Sequence, residues 1–475
     1  MKRIFTIIIT IFFLISQIGT LIYFYSLPAG YKGMVFLPFI YFIGYFIFYY
    51  DFIGNCSNPF VLYGVLVMEG IRFTLMPLFC SIAGSQNGMS YINPTVSSLN
   101  IAVIFMIIEY LGVSLFCKLM IKPEKRKKET TYILLGEKLI YYLFFIFAIG
   151  IYFVAGRGKG LIRFLIINVG SGERVGDITN SGLLIVRQVI LCAIFLSFVL
   201  VVYKAWRLYK DLGKNSYFYI ALLAAMINVS IIIGERRTAQ IYALLCSLWI
   251  LVSLFPKFKS KIIIGLGLAA GIVLVFMSIY KFFGAFMFNS YSAAISNSQI
   301  DVPFISRTLQ SYFFGPENIA ISLDFFNSNS LGISQMFFDI LRSVFGLNYV
   351  FKDFGDVTSV SFNTFVYGFN RNTGQVISAA AYGYGFLGTV FVPFFAILNI
   401  FISIKIENLL YRLKSLELIY VTVYVLTRFV TNLFVNTPPL ISQGTMMAFT
   451  SLIVIGIAAM FNYRKRNRRV DSARW

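Results

Sequence analysis

Apolar runs of about 20 residues recur along the whole chain, separated by short segments rich in Lys and Arg. A helix of about 20 residues, rising 1.5 Å per residue, crosses a hydrocarbon core about 30 Å thick. The composition agrees, since 59% of the 475 residues are hydrophobic and only 12% are charged. So little polar surface excludes a soluble globule of this size, and we predict an all-α polytopic membrane protein.

The hydropathy pattern predicts about twelve transmembrane helices. The first run is longer than the hydrophobic part of a signal peptide, so we interpret it as a retained helix. The predicted spans are 4–26, 34–50, 59–83, 99–121, 139–156, 184–203, 216–233, 238–255, 262–283, 386–406, 417–434 and 443–461.

The distribution of basic residues predicts the orientation. With the N terminus inside, 25 of the 40 Lys and Arg residues fall on inner segments and span ends, as the positive-inside rule requires. We therefore predict cytoplasmic N and C termini, a single integral membrane domain over 1–475 and a basic cytoplasmic tail at 462–475. The net charge of +21 then reflects topology and anionic inner-leaflet lipid, and we expect no nucleic acid as a partner.

Two residue types limit the chemistry that is available. The chain has no histidine, which excludes His-dependent acid–base catalysis and leaves carboxylates, Lys, Tyr and Arg. Its five cysteines are scattered without a CxxC motif, which argues against a disulfide framework or a thiolate metal site. We predict neither a metal nor a cofactor.

Two predicted outer loops, 157–183 and 284–385, clearly exceed turn length, and loops this long are usually functional. In the larger loop, Pro316 stands at a favoured first helical position. Ser334 is a plausible N-cap and Gly346 a plausible stop for a second helix. One face of that helix is apolar, and the other carries Gln335, Asp339, Arg342 and Ser343. This amphipathic pattern predicts a helix lying in the membrane interface.

Some charged residues fall within predicted spans, where burial is costly. Glu69 and Arg72 are three residues apart, which favours an ion pair on one side of a helix. Glu109 has no partner nearby in the sequence. Arg428 should face protein, water or an anion, the alternative being that its side chain reaches the outer headgroups.

The short outer turn Gly234-Glu235-Arg236-Arg237 places two guanidinium groups and a carboxylate at headgroup level. Guanidinium groups bind phosphate oxygens in a bidentate way and stay charged. This turn is therefore a candidate for binding a phosphate-bearing substrate. The alternative is a turn anchored on lipid phosphate.

A third candidate is Tyr367-Gly368-Phe369-Asn370-Arg371-Asn372-Thr373-Gly374. Its amides could pair with sugar hydroxyls, its rings could cover apolar sugar faces and its arginine could hold a phosphate. Ordinary turn chemistry explains the same residues, because Asn and Gly are favoured in turns.

This arrangement resembles the Wzy-type O-antigen or capsule repeat-unit polymerases. The shared features are an Arg-bearing loop between spans five and six, a much larger loop between spans nine and ten, the outer Gly-Glu-Arg-Arg turn and a glycine-punctuated entry to span ten. That entry, Gly374 to Gly388, contains Tyr382-x-x-Gly385-x-x-Gly388, which is similar to the Tyr-x-x-Gly-x-x-Gly ending of the family's large loop. No acidic residue precedes Tyr382, and two Arg-x10-Gly repeats described for some members are not found.

The resemblance implies a membrane glycosyltransferase, with a GT-C-like architecture, in the bacterial cytoplasmic (inner) membrane. Its substrates would be undecaprenyl-diphosphate-linked oligosaccharides, polymerised on the outer face, and a flippase and a chain-length regulator are candidate partners. On this hypothesis Glu235 is the candidate base. The diphosphate would be held by Arg236, Arg237 and Arg428, with Arg371 and Arg163 as further contacts. Sugars would contact Asn370, Asn372 and Tyr382.

Two other functions fit the pattern of spans. A lipid-linked oligosaccharide flippase or another transporter would show short loops and charges along a path at the membrane midplane. An O-antigen ligase-like transferase resembles this architecture too, but such enzymes carry a histidine on the large outer loop.

Overall fold

The computed structural model describes residues 2–84, 92–124, 131–156, 161–167, 169, 181–233, 237–298, 300–369 and 374–472. Helices dominate this part of the chain. The helices up to residue 254 are α1 Lys2–Ile22, α2 Leu37–Gly44, α3 Pro59–Gly70, α4 Met76–Ala83, α5 Val96–Met120, α6 Lys138–Ile151, α7 Ser181–Leu212, α8 Ser216–Ser230 and α9 Arg237–Leu254. They continue with α10 Lys259–Phe282, α11 Tyr291–Ser296, α12 Val302–Phe313, α13 Pro316–Ser328, α14 Ile333–Ser343, α15 Leu347–Val350, α16 Thr358–Tyr367, α17 Ala379–Leu387, α18 Phe394–Leu410, α19 Leu416–Val430 and α20 Thr437–Ser472.

Ten helical stretches of the described chain are long and apolar enough to cross a membrane. Each coincides with one of the twelve predicted spans, so the prediction of a multi-pass helical membrane protein is confirmed. The other two predicted spans correspond to α8 and α19, which have 15 residues each. At 1.5 Å per residue such a helix is about 22 Å long, shorter than the hydrocarbon core. The count of twelve and the orientation stay predictions.

The chain forms two compact units, and each unit is built from separate stretches of sequence. Unit 1 contains Met1–Lys127, Ile300–Asn408 and Arg428–Thr445, whereas unit 2 contains Lys128–Gln299, Leu409–Thr427 and Met446–Trp475. The predicted large loop is therefore divided between the units close to residue 300.

Unit 2 contains a two-stranded antiparallel sheet of β1 Ile162–Phe164 and β2 Ile231–Ile233. The strand β2 continues directly from α8, so the chain leaves that short helix in an extended conformation. A buried cluster beside the sheet includes Ile167, Ile232, Met277 and Tyr280. Elsewhere in unit 2, the buried carboxylate of Glu417 accepts hydrogen bonds from two backbone amides and two hydroxyls, which satisfies a charge that burial would otherwise make costly.

The part of the predicted loop that belongs to unit 1 is tied to its apolar helices by charged side chains. Asp324 on α13 accepts hydrogen bonds from the backbone amide of Thr95 at 3.2 Å and from the Ser98 hydroxyl at the start of α5. Arg72 donates to the carbonyl oxygen of Phe314 at the end of α12, over 3.1 Å. These contacts make the segment a fixed part of the unit.

Two details of this segment test the predicted helices. Pro316 is the first residue of α13, as predicted. Helix α14 begins at Ile333 after an N-cap at Gly332 and ends at Ser343, so the prediction that Ser334 is the N-cap was wrong. Gly332 has extended φ and ψ angles, which an N-cap requires, and no side-chain cap is needed to start the helix.

Asp339 on the polar side of α14 faces protein, whereas part of the apolar side is exposed and Met336 is its buried member. Asp339 is buried, with 3% of its surface exposed, whereas Phe337 and Leu341 are exposed by 58% and 44%. A helix of a soluble protein shows the reverse arrangement. The exposed apolar side is suited to contact with lipid, as the predicted interfacial helix requires.

Candidate functional site

Unit 1 contains a cavity of about 430 Å³ between the α14–α15 region, the start of α16 and the first turn of α20. Its volume lies within the range of small-molecule sites. Its lining residues combine a carboxylate, a guanidinium, two amides, hydroxyls, an aromatic ring and two prolines. They are Asp339, Arg342, Ser343, Asn348, Tyr349, Val357, Ser359, Asn436, Pro438, Pro439 and Ser442.

Asp339 is the centre of a hydrogen-bond network behind this cavity. Its Oδ2 accepts a hydrogen bond from the Tyr382 hydroxyl at 2.7 Å. Its Oδ1 accepts from the backbone amide of Thr358 at 3.0 Å and from Nε2 of Gln335 at 3.2 Å. The carboxylate therefore joins α14 to the first turn of α16 and to α17, and it has lone-pair capacity left for one more donor.

Tyr382 contacts the cavity only through this carboxylate, because its own side chain is completely buried. Burial raises the pKa of its hydroxyl, and the nearby negative charge of Asp339 raises it further. The hydroxyl thus stays protonated and remains a donor throughout the physiological pH range.

The glycines around Tyr382 allow α17 to pack closely. A Cβ atom on Gly383 would lie 2.3 Å from the backbone oxygen of Phe391, and one on Gly385 would lie 2.3 Å from the Phe326 ring. Gly388, at the end of the helix, has a φ of +88°, a conformation that side chains disfavour. The motif Tyr382-x-x-Gly385-x-x-Gly388 therefore has a structural explanation in this chain.

The other polar groups of the cavity suit an anionic, hydroxyl-bearing ligand. Arg342 supplies a guanidinium, one nitrogen of which donates to the carbonyl oxygen of Gly355. Asn436 is buried, with 3% of its surface exposed, and its Oδ1 finds no hydrogen-bond partner among the described residues. A buried amide oxygen without a partner is unfavourable unless a ligand or water supplies a donor.

The structure places two of the predicted site residues in unit 1. Tyr382 lies in the network described above. Arg428, near the end of α19, is buried with 9% of its surface exposed, and its backbone oxygen accepts a hydrogen bond from Asn432 Nδ2 at 2.9 Å. This burial disfavours the alternative in which the Arg428 head group reaches the lipid headgroups.

Two further predicted residues lie in unit 2. Arg163 is the middle residue of β1 and pairs with Ile232 in the sheet. Arg237 is the first residue of α9, where its guanidinium lies over the Phe282 ring at 4.1 Å and donates to the Ser278 hydroxyl at 3.3 Å.

The remaining predicted residues lie outside the described part of the chain. They are Glu235, Arg236, Asn370, Arg371 and Asn372.

The sequence-based interpretation did not assign a role in binding or catalysis to Asp339, Arg342 or Asn436. The sequence placed Asp339 and Arg342 on the polar face of α14, and this polarity was the one feature of the sequence that could have indicated a binding site. Asp339 is bound by Tyr382 on α17 and by the amide of Thr358 at the start of α16, and Arg342 binds Gly355 just before α16, none of which local spacing indicates. Among the described residues, no group of His, Cys, Asp and Glu side chains could hold a metal ion.

The class that these features define is a multi-pass helical membrane protein with a polar cavity beside the amphipathic helix α14. No protein-family model matches the sequence, and neither a curated protein nor a solved structure matches it.

Proposed function

We propose that the protein is a membrane glycosyltransferase that polymerises undecaprenyl-diphosphate-linked oligosaccharide repeat units on the outer face of a bacterial cytoplasmic membrane. The single observation that supports this most is the cavity of unit 1. Arginine suits a phosphate, amides and hydroxyls pair with sugar hydroxyls, and Tyr349 and the prolines can cover apolar sugar faces. The predicted large loop supplies many of these groups.

The reaction transfers the growing chain from its lipid diphosphate to a hydroxyl of the next repeat unit. The bond between the anomeric carbon and the diphosphate oxygen breaks, and a bond to the acceptor oxygen forms. A carboxylate draws the proton from the acceptor hydroxyl, and cations stabilise the departing diphosphate. In this proposal Asp339 is the candidate carboxylate of the unit 1 cavity, and the role of Glu235 as a base stays a separate prediction from the sequence. Arg342 is the diphosphate contact of this cavity, while Arg236, Arg237, Arg428, Arg371 and Arg163 stay predictions from the sequence.

The first experiment deletes the gene in the bacterium that makes the corresponding surface polysaccharide. We expect single-repeat glycans to reach the cell surface while long chains disappear, and reintroduction of the gene should restore the long chains. Long chains that persist in the deletion strain would contradict the proposal.

A single substitution tests the cavity. Arg342→Lys keeps the positive charge but loses the planar guanidinium fork. We expect the polymerisation rate on purified lipid-linked repeat units to fall about tenfold or more, the effect of losing one hydrogen bond to a charged group.

The matched control is Arg307→Lys on α12, in the same segment but away from the cavity. It should leave the rate near the wild-type value. If Arg342→Lys also leaves it unchanged while the gene deletion removes long chains, the protein is a polymerase whose diphosphate site lies elsewhere.

A flippase is the second candidate, and one observation favours it. Glu69, Arg72 and Glu109 are all completely buried within the apolar helices of unit 1, and ionisable residues there often mark a transport path. The deletion experiment separates the two functions. Loss of a flippase would leave repeat units on the inner face, so even single-repeat glycans would be missing from the surface.

A further inference from the structure

Three ionisable side chains meet in the interior of unit 1, away from the cavity. Arg72 lies in a five-residue π-helical turn, Ile71–Leu75, between α3 and α4. Its Nη1 donates to Glu109 Oε2 on α5 at 2.5 Å, and its guanidinium lies over the Phe434 ring at 4.0 Å. The predicted pair of Glu69 with Arg72 was therefore wrong as the main contact. The π turn changes the angle between these two residues, and Arg72 reaches α5 instead.

Glu109 has the surroundings of an ionised carboxylate. It contacts the Arg72 guanidinium directly, and the backbone amide of Ala380, in the first turn of α17, also faces it. A helix N-terminus and a cation in direct contact both favour a negative charge.

Glu69 has different surroundings. Its Oε2 lies 2.9 Å from the Tyr49 hydroxyl, which is also 2.9 Å from the Ser114 hydroxyl. Its Oε1 finds no hydrogen-bond partner among the described residues, and the side chain is completely buried. Glu109 Oε1 also finds no hydrogen-bond partner among the described residues. The two carboxyl groups therefore differ in their direct contact, which is a neutral hydroxyl for Glu69 and a cation for Glu109.

The net charge of the cluster then determines how many of its two carboxyl groups are protonated. Two ionised carboxylates around one guanidinium would leave a net negative charge in an apolar interior, which is strongly unfavourable. A single proton removes that charge. It belongs on Glu69, because the Arg72 guanidinium contacts Glu109 directly, whereas the direct hydrogen-bond partner of Glu69 is the Tyr49 hydroxyl.

We propose that Glu69 is a proton-binding site in the interior of unit 1 and is a neutral carboxylic acid in the folded protein at neutral pH. In this state the carboxylic acid of Glu69 donates a hydrogen bond to the Tyr49 hydroxyl, and the Tyr49 hydroxyl donates one to Ser114. Each hydrogen bond then has its own proton. This inference does not depend on the proposed function. The titratable groups that interact electrostatically with Glu69 are Tyr41, Tyr49, Arg72, Glu109, Tyr110 and Cys117.

The test compares two isosteric substitutions in the purified full-length protein at neutral pH. Glu69→Gln replaces a neutral acid by a neutral amide, so we expect a thermal unfolding midpoint within about 2 °C of wild type. Glu109→Gln removes the carboxylate partner of a buried guanidinium, and we expect the midpoint to fall by about 5–10 °C. A fall of that size in Glu69→Gln would overturn the proposal.

Infrared spectroscopy gives a second measurement that does not require Glu109→Gln to fold. A protonated carboxylic acid has a C=O stretching band that a carboxylate lacks. We expect the wild-type spectrum at neutral pH to contain such a band that is absent from Glu69→Gln, and Tyr49→Phe should shift it by removing its hydrogen-bond partner. If Glu69→Gln loses no carboxylic-acid band, Glu69 is ionised and the proposal fails.

Discussion

The contact between Asp339 and Tyr382 links two residues that are far apart in the sequence and both buried. Each donor to a buried carboxylate contributes to stability, because a buried oxygen without a donor has lost its hydration and gained no hydrogen bond in exchange. Tyr382 is therefore important for the cavity through its effect on Asp339, although its own side chain is not exposed there.

Tyr382→Phe removes this hydroxyl and keeps the ring. We expect the free energy of unfolding to fall by about 1–3 kcal/mol, the cost of leaving a buried polar group one partner short. Unfolding of the purified protein followed by denaturant measures it. Tyr384→Phe is the control, since the half-buried Tyr384 packs on Phe105 and its hydroxyl makes no side-chain hydrogen bond among the described residues. If the free energy of unfolding falls equally in the two variants, the hydrogen bond from Tyr382 to Asp339 makes no specific contribution to stability.

The residue scale also shows where prediction from sequence stops. Local spacing suggested Glu69 as the partner of Arg72, yet Arg72 forms its ion pair with Glu109 on another helix. The spacing rule assumes regular α-helical periodicity, and the sequence contains no signal for the π turn that interrupts it at Ile71–Leu75. The burial of Asp339 could not be predicted either, because its hydrogen-bond partner Tyr382 lies on a different helix.

Helices were predicted better than individual contacts, because hydrophobic length is a local property. The start of α13 at Pro316 follows from the fixed φ angle and missing amide of proline, which suit a first helical position. The lengths of α8 and α19 were overestimated, because apolar residues continue beyond each helix. Beyond α8 they form the strand β2, and beyond α19 they pack in the turn at 431–435.

Close packing of α17 gives a prediction for an element. Gly383→Ala would place a Cβ atom 2.3 Å from the backbone oxygen of Phe391, and backbone cannot move aside cheaply. We expect a lower unfolding midpoint and, on the proposed function, shorter polymer. In Gly456→Ala, within α20, the added Cβ meets nothing within 4 Å, so alanine should be neutral or slightly stabilising. A normal midpoint for Gly383→Ala would contradict this packing.

For the whole molecule, the predicted orientation can be tested by labelling. All five native cysteines are buried, so a membrane-impermeant thiol reagent should label the wild type weakly. Ser334→Cys, on the exposed surface of α14, should react in intact cells. Lys214→Cys, exposed between α7 and α8, should react only after the membrane is opened. The reverse pattern would place both termini outside and remove the basis of the proposed function.

Unit 1 combines the first quarter of the chain with stretches that begin near residues 300 and 428, and this has a consequence for synthesis. Arg72 and Glu109 leave the ribosome early, but Phe314 and Phe434, which complete the surroundings of Arg72, are made about 200 and about 325 residues after Glu109. At usual elongation rates the delay is on the order of tens of seconds. During that time the newly inserted helices hold an ion pair without its final surroundings, so the membrane insertion machinery or neighbouring lipid headgroups must shelter it. A nascent chain that stops after its first four spans is therefore not a folding unit.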